Sequence, residues 1–314
     1  MRKLLALSCA LAAACGGSAA FKDQARDAMP DSSGVAMGPQ QAQSSSQSNA
    51  LSAEGSSHAV AGADPWFNAT VAFAYSINLG TAWTLGAVEA VTATEPTSCT
   101  ANSCTWGPGS GALDLNEYKL TVTQAANGSF DWTLDARSKA NATAQFVTLI
   151  SGNAVPSGQR HRGSGTFTIN LDNARQLSGH ATDQGTIDIT YSNVGPAHVQ
   201  ANFHNLISQD AQHLGDVGNA YYNYQQDISG GGDMEIAWHD VTNEERDDIH
   251  SRWKADGSGR ADVMVVKPGV NLQISNCWSA AVGGFVTVFS PTSGSVSACS
   301  YADAAFGTNI NTPQ

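Results

Sequence analysis

The sequence predicts an all-β protein with a single antiparallel β domain, folded as a meandering barrel or a sandwich. Three observations lead to this fold class. Apolar and polar residues alternate with a period of two from residue 66 onward, turn-forming sequences separate the alternating segments, and only one short segment has the spacing of a helix. A period of two places one face of each segment in a core and the other in water, as antiparallel sheets allow.

Six segments show the alternation most clearly. In one of them, Phe130, Trp132 and Leu134 alternate with aspartates and a threonine. Roughly a dozen strands are expected, at spacings typical of sandwiches and barrels. The six segments are residues 118–122, 130–134, 167–171, 187–191, 199–203 and 234–238, and the turns include residues 126–128, 156–158, 195–196, 230–232 and 256–257.

The domain begins with the uncharged stretch Pro65–Val88. Asn68, Asn78, Gly80 and several threonines interrupt it, which argues against a membrane span. Its odd-numbered residues from Ala69 to Ile77 are apolar and alternate cleanly, so we predict a pair of strands. A transmembrane barrel would also alternate, but its lipid-facing band requires aromatic girdles at both ends. A water-exposed β domain is therefore the favoured interpretation.

One helix is predicted, at Thr242–His250. Thr242 is a typical N-cap residue, and Glu245 follows three residues later, as in a capping box. Such a box satisfies two of the backbone N–H groups that the first turn of a helix leaves without partners.

The first residues have the form of an export signal. Two basic residues precede an apolar run, residues 4–14, that is far shorter than the ~20 residues of a spanning helix. Small residues directly before Cys15 resemble the lipobox of bacterial lipoproteins, with Ala12 where that pattern usually has leucine. The resemblance implies that residues 1–14 are removed and that Cys15 carries a diacylglycerol. A plain secretory signal, with Cys15 incidental, is the alternative.

The same resemblance implies an address in the cell envelope. Gly16 and Gly17 lack the aspartate that retains many Gram-negative lipoproteins in the inner membrane, so an outer-membrane lipoprotein facing the periplasm or the cell surface is expected. Residues 15–64 would form the lipidated N-terminus and a tether rich in Ser, Ala, Gln and Gly, which is expected to be disordered. The tether would reach about 40 Å as a flexible coil. The β domain would occupy residues 65–314.

Composition restricts the partners. The formal net charge is −12, and no basic cluster lies outside the first residues. Nucleic-acid binding requires a footprint of Lys and Arg, so no nucleic-acid partner is expected. The expected partners are a membrane, contacted through the lipid anchor, and a protein or an apolar ligand of unknown identity. No cofactor is expected.

Four cysteines follow the signal, and an even number in an exported protein suggests disulfides. Cys99 and Cys104 enclose four residues, so the natural pairing is local, with Cys277 bridging to Cys299 across a hairpin. Three pairings remain formally open. No Cys-x2-Cys spacing supports the alternative of a metal site.

The stretch from Trp253 to Val266 resembles the calcium loop of FG-GAP-type β-propeller repeats. Asp256 and Asp262 fall where that pattern has acidic ligands, whereas Lys254 occupies the first ligand position. An ammonium group repels calcium, and no second copy of the repeat occurs. A hairpin turn, with positive φ at Gly257 and Gly259, is therefore the preferred interpretation.

Candidate catalytic residues lie on one predicted strand face. Asp233, Glu235 and His239 share this face, and Glu235 with His239 would form an acid–base pair. A solvated sheet face is the simpler interpretation of the same pattern, and no nucleophile or phosphate-loop motif accompanies these residues.

We therefore expect a lipid-anchored envelope protein with a non-catalytic binding or structural β domain. An exported carbohydrate-active or hydrolytic β-sandwich enzyme is the alternative. An apolar ligand would suit a barrel lined by aromatic side chains, although these side chains would equally fill an ordinary core. The aromatic residues concerned are Phe73, Tyr118, Trp132, Phe167 and Phe203.

Overall fold

The computed structural model confirms the all-β class and describes the chain in two compact units. Unit 1 comprises residues 1–34 and 82–194, and unit 2 comprises residues 35–81 and 195–314. The residues described are 20–30, 64–141, 143–180, 182–207, 215–281 and 284–304.

Fifteen strands pair antiparallel in one sheet, and their order in the sheet follows the sequence. The two short strands β1 and β15 are the ends of this order, so the described strands form an open meander rather than a closed barrel. The strands are β1 (Ser98–Cys99), β2 (Ser103–Gly109), β3 (Asn116–Gln124), β4 (Phe130–Ser138), β5 (Val147–Pro156), β6 (Gly163–Asn170), β7 (Thr186–Ser192), β8 (His198–Ile207), β9 (Val217–Gln226), β10 (Gly232–Asp240), β11 (Glu245–Trp253), β12 (Gly259–Lys267), β13 (Val270–Ala281), β14 (Gly284–Ser290) and β15 (Ser293–Gly294).

The core of unit 1 lies against one face of strands β2–β7. Trp106, Leu120 and Leu134 are aligned across neighbouring strands and buried. Trp132 and Phe167 are also buried, with ring centroids 5.9 Å apart. These two aromatic side chains lie in the core of unit 1, and the opposite face of their strands is mostly polar, as the period-two alternation predicts.

A helix, α1 (residues 20–28), packs on unit 1. Phe21, Ala25 and Ala28 recur at the i, i+4, i+7 spacing of a helix face and are buried. The ring of Phe21 stacks on that of Phe130, with centroids 5.9 Å apart. The predicted disorder of residues 15–64 therefore does not hold for residues 20–28, because a short apolar stripe gives this part of the segment a face to bury.

The stretch predicted as a pair of strands is instead a helix, α2 (Pro65–Thr92). Asp64 caps its start, since the carboxylate Oδ1 accepts hydrogen bonds from the backbone N–H groups of Trp66 and Phe67 at 2.8 and 3.1 Å. Pro65 occupies the first helical position, where its missing N–H costs nothing. The prediction of strands was wrong because alanine and threonine are compatible with the period of a strand and with that of a helix.

Unit 2 buries the first part of α2 against its sheet. The ring of Phe67 lies 4.1 Å from that of Phe285 and 6.0 Å from that of Trp278. The hydroxyl groups of Thr70 and Ser251 are 2.8 Å apart in the buried interface. Val71 and Ala261 complete the cluster.

The predicted helix at Thr242–His250 is also wrong. Residues 241–244 form a turn, and β11 begins at Glu245. Asp240 rather than Thr242 supplies the capping oxygen, accepting hydrogen bonds from the N–H groups of Thr242 and Asn243 at 2.8 and 3.0 Å. Ile249, Ser251 and Trp253 then alternate toward the core, so the strand period prevails.

Both predicted disulfides are present. The Cα atoms of Cys99 and Cys104 are 4.2 Å apart, and those of Cys277 and Cys299 are 5.4 Å apart. A third helix, α3 (Leu171–Ala174), is a single turn. None of the helices in the described part of the chain is long and apolar enough to cross a membrane. Cys15 and the signal lie outside the described residues.

Candidate functional site

The polar side of unit 1 carries two rows of side chains that are aligned in register across strands β2–β7. We call these rows the hydroxyl face. Seven of the twelve positions hold threonine and two hold serine. The first row is Thr105, Thr121, Thr133, Ser151, Thr168 and Asp188, and the second is Ser103, Thr123, Asp131, Asn153, Thr166 and Thr190.

Strand pairing sets the spacing of the hydroxyl face. Neighbouring strands lie about 4.8 Å apart, and the two rows are separated by two residues, or about 6.7 Å, along each strand. Hydrogen bonds within the face orient several groups. The hydroxyls of Ser103 and Thr123 are 2.9 Å apart, and the Asn153 amide donates to Asp131 Oδ1 at 2.8 Å. The face is thus a regular polar grid held by the backbone.

On the buried side of the same strands, a glycine lies between two aromatic rings. Gly152 lies between Trp132 and Phe167 in the buried row, where an added Cβ would come within 2.6 Å of the Phe167 Cβ and 2.9 Å of Trp132 Cε2. A glycine is therefore required where the two rings meet. On the polar side, a shallow depression of about 260 Å³ follows Thr121, Thr133 and Ser151.

Basic side chains lie beside the hydroxyl face and not within it. Lys119 pairs with Asp135 at 3.1 Å, and Arg137 pairs with Glu117. Both cations also sit over the ring of Phe146, at 4.9 and 4.6 Å from its centroid. The twelve positions of the rows hold two carboxylates and no Lys or Arg. The face is consequently neutral to weakly acidic.

Unit 2 has a second polar face, on which β10 and β11 bring together Asp233, Glu235, Asp248 and His250. We call these four residues the histidine–carboxylate cluster. Nε2 of His250 donates to Asp233 Oδ1 at 2.6 Å, and Glu235 lies directly opposite His250 in the strand register. Burial by itself lowers the pKa of His250, but the hydrogen bond and charge of Asp233, aided by Glu235, outweigh it and raise the pKa.

Asp248 is the most unusual member of the cluster. The residue is 3% exposed, and neither carboxylate oxygen has a hydrogen-bond partner among the described residues. Burial, with a smaller contribution from the charge of Glu235, raises the pKa of Asp248 to about 7. A buried carboxyl of this kind holds its proton near neutral pH because its charged form lacks solvation.

Asp262, one of the two candidate calcium ligands, is an ion-pair partner in the structure. It is buried, with Oδ1 2.9 Å from Nε of Arg260 and Oδ2 3.2 Å from Nη2 of Arg252. Ser275 donates its hydroxyl to the same carboxylate at 2.6 Å. These contacts occupy the oxygens that a cation would need.

Asp256, the other candidate ligand, stabilises a turn. Its Oδ1 accepts hydrogen bonds from the N–H and the hydroxyl of Ser258, at 2.9 and 2.6 Å. Gly257 has the expected positive φ of 79°, whereas Gly259 serves close packing, since a Cβ there would lie 2.5 Å from Trp278 Cζ2. In the described part of the chain, no group of three His, Cys, Asp or Glu side chains could hold a metal ion.

The three candidate catalytic residues are only partly brought together. Asp233 and Glu235 meet His250, but His239 pairs in register with Arg246 and Asn219. Four residues along a strand separate Glu235 from His239 by roughly 13 Å, too far for a direct hydrogen bond. The histidine that the carboxylates of β10 face is therefore His250 of β11.

Sequence reasoning missed His250, Asp248 and the hydroxyl face. His250 and Asp248 lay inside the predicted helix, which hid their strand faces. The threonines of the hydroxyl face were recognisable as polar positions of single strands, but their alignment depends on the register between strands.

Comparison with known proteins identifies no relative. No family model matches the chain, and neither a curated protein nor a solved structure resembles it at a significant level.

Proposed function

We propose that this protein is a lipid-anchored protein of the bacterial cell envelope whose β domain binds its partner without transforming it. The observation that carries the binding part is the hydroxyl face, because a regular grid of half-buried and exposed hydroxyl groups is suited to recognition. The lipobox-like sequence that ends at Cys15 supports the anchor. Two or more acyl chains would make such anchoring stable, which one chain would not.

The ionisable groups of unit 2 favour binding over catalysis. Asp262 is buried and held by two arginines, so its carboxylate is not accessible to a substrate. The buried aromatic residues Trp132 and Phe167 pack against each other, so the proposal includes no apolar ligand.

The anchor is tested by the intact mass of the protein extracted from membranes, with wild type compared to Cys15→Ala. We expect a wild-type mass equal to the chain from Cys15 plus acyl groups, and loss of this species in the variant. Fractionation of the same cells should place wild type in the membrane pellet. An unmodified wild-type chain in the soluble fraction would overturn the anchored location.

Asp248 favours one alternative, an exported hydrolase. A carboxyl with a pKa of about 7 is suited to donate a proton, and Glu235, a diagonal neighbour of Asp248 in the strand register, is a second carboxylate on the same face. Because Asp248 is only 3% exposed, the strands around it would have to open for a substrate to reach it. The test is the release of reducing ends from neutral polysaccharides by the purified protein. Activity that is lost in Asp248→Asn and retained in His239→Gln would support the enzyme and contradict a purely binding role.

A further inference from the structure

We propose that the hydroxyl face of unit 1 is a binding site for an extended neutral polysaccharide, whose chain runs across strands β2–β7. The inference rests on the proposed binding function and names the class of its ligand. It is carried by the alignment of the two rows and by their chemistry.

The chemistry of the rows matches that of sugars. A hydroxyl group both donates and accepts hydrogen bonds, as does the side-chain amide of Asn153. Sugar hydroxyls have the same dual character, so each can be satisfied by either row. The exposed carboxylate of Asp131 adds a charge-assisted acceptor, which forms shorter and stronger bonds with hydroxyl donors.

Charge selects against acidic ligands. The rows hold Asp131 and Asp188 and no Lys or Arg, and the chain as a whole has a net charge of −12. A polyanion such as a nucleic acid or an acidic glycan requires basic side chains at its binding site. The face is therefore complementary to an uncharged polymer.

The spacing favours a polymer over a single sugar. The strands recur at about 4.8 Å, a distance close to the advance of one sugar residue in an extended glycan. Six strands span about 24 Å, which is the length of roughly five sugar residues. The separation of the two rows, about 6.7 Å, would let the rows contact both edges of the glycan chain.

The face is ordered before any ligand arrives. Threonine has few rotamers and loses little side-chain entropy when it is contacted. The hydrogen bonds from Thr168 to Asp188 Oδ1 (2.5 Å) and between Ser103 and Thr123 further restrict the hydroxyls. A preorganised surface binds a repetitive ligand at a smaller entropic cost.

A protein partner fits this surface less well. Protein interfaces have an apolar or aromatic centre surrounded by a polar rim. The two rows contain no aromatic and no aliphatic side chain. One exposed aliphatic residue of the same face, Val155, lies beyond the second row at its edge. A second copy of this chain would find no anchor in the centre of the face.

In the experiment, the full-length protein in detergent solution is mixed with microcrystalline cellulose or with chitin. Binding is measured as the loss of protein from the solution. Anionic polygalacturonate gel serves as the charged control. The variant is the triple substitution Thr121→Val, Thr133→Val and Thr166→Val, which keeps the branched shape and strand propensity but removes three hydroxyls. The matched control substitutes serine at the same three positions and keeps the hydroxyls.

We expect wild type and the serine control to bind at least one neutral polysaccharide and to ignore the anionic gel. The valine variant should bind about 10-fold more weakly or worse, because three hydrogen bonds are lost. Thermal unfolding followed by circular dichroism checks that all variants are folded. A folded Thr133→Lys variant, with its bulk in the middle of the face, provides a second test if the valine variant unfolds.

Three results would overturn the inference. In the first, wild type binds neither neutral polysaccharide. In the second, the valine and serine variants bind equally well. In the third, the protein forms a concentration-dependent dimer that only the valine variant disrupts. The last result would assign the face to a second copy. Because the glycan assay does not depend on lipidation, its failure is distinguishable from a failure of the anchor, which the intact mass reports.

Discussion

Nε2 of His250 on β11 lies 2.6 Å from Oδ1 of Asp233 on the neighbouring strand β10. The two residues are diagonal neighbours in the register, since Asp233 pairs with Arg252 and His250 pairs with Glu235. The imidazole is therefore in contact with one carboxylate and directly opposite another. Asp262 of β12 also lies opposite His250, from the other side. This arrangement stabilises the protonated imidazole.

The first prediction concerns the titration of His250. Asp233→Asn removes the charge that raises the pKa of His250, so we expect this pKa to fall toward and below the ordinary histidine value. The measurement is an NMR titration of the imidazole C–H signals in wild type and variant. Asp131→Asn, an exposed carboxylate of unit 1, is the control and should leave the titration of His250 unchanged. An unshifted pKa in Asp233→Asn would show that Asp233 does not govern His250.

The same contact predicts a pH-dependent stability. A folded-state pKa raised above that of the unfolded chain contributes stability below the unfolded value of about 6.5, and this contribution is lost as pH rises through the folded pKa. Wild type should therefore lose stability relative to His250→Gln as pH rises from about 6.5 through the raised folded-state pKa. Urea unfolding at several pH values measures the difference. A constant difference over this window would contradict the raised pKa.

The second prediction concerns Asp248. Its pKa of about 7 in the folded state lies above that of an unfolded aspartate, so the folded state gains stability below about pH 4 and loses it as pH rises through 7. Asp248→Asn cannot ionise, so its free energy of unfolding should rise relative to that of wild type by about 3–4 kcal/mol between pH 4 and pH 8. Most of this relative gain should appear between pH 4 and pH 7. If Asp248→Asn and wild type keep the same difference in stability at pH 4 and at pH 8, the prediction fails. The buried carboxylate would then be solvated by water or by a cation.

Much of the fold could be predicted because strand alternation is a local property. Five of the six alternating segments, including 130–134 and 234–238, lie entirely within strands, and the sixth, 167–171, is in β6 except for Leu171, which begins α3. Both disulfides match the pairing preferred among the three that the sequence left open, because Cys99 and Cys104 are only five residues apart. The helices were harder. The segment 65–92 is rich in alanine and threonine, which fit either period, and its helical form depends on Asp64 and on burial against unit 2.

The sites were less predictable than the elements, because they depend on relations between strands. Asp262 was considered a ligand from its place in a glycine-rich loop, but its partners Arg260 and Arg252 lie on β12 and β11. Likewise, Glu235 was paired with His239 on its own strand, although the histidine that it faces is on the next strand. Register brings together residues that no single-strand pattern relates.

The third prediction tests the packing of α2 on unit 2. Phe67 is 4% exposed and contacts the rings of Phe285 and Trp278, whereas Phe73 on the same helix is 37% exposed. Phe67→Ala should lower the free energy of unfolding of unit 2 by about 3–4 kcal/mol, because it removes buried apolar surface and leaves a cavity. Phe73→Ala, a matched control, should cost less than about 1 kcal/mol. Equal effects in urea unfolding would contradict this placement of the helix.

The fourth prediction separates an ion-pair role of Asp262 from calcium binding. Asp262→Asn leaves the buried guanidinium of Arg260 without its charge partner and should destabilise the protein by about 3–5 kcal/mol. Asp256→Asn alters only a turn whose carboxylate is exposed, and should cost about 1 kcal/mol or less.

The ion-pair role also predicts how the protein responds to calcium. Since arginine and serine donors already occupy the Asp262 carboxylate, calcium should not change the melting temperature of wild type relative to EDTA. A rise of several degrees that both aspartate variants abolish would contradict the ion pair and restore the calcium loop. Arg260 also donates hydrogen bonds to the backbone carbonyls of Tyr301 and Ala302 at 3.2 and 2.9 Å. We therefore expect Arg260→Lys to lose nearly as much stability as Asp262→Asn, because lysine cannot reproduce the planar guanidinium. Full stability of Arg260→Lys would show that only the positive charge is needed.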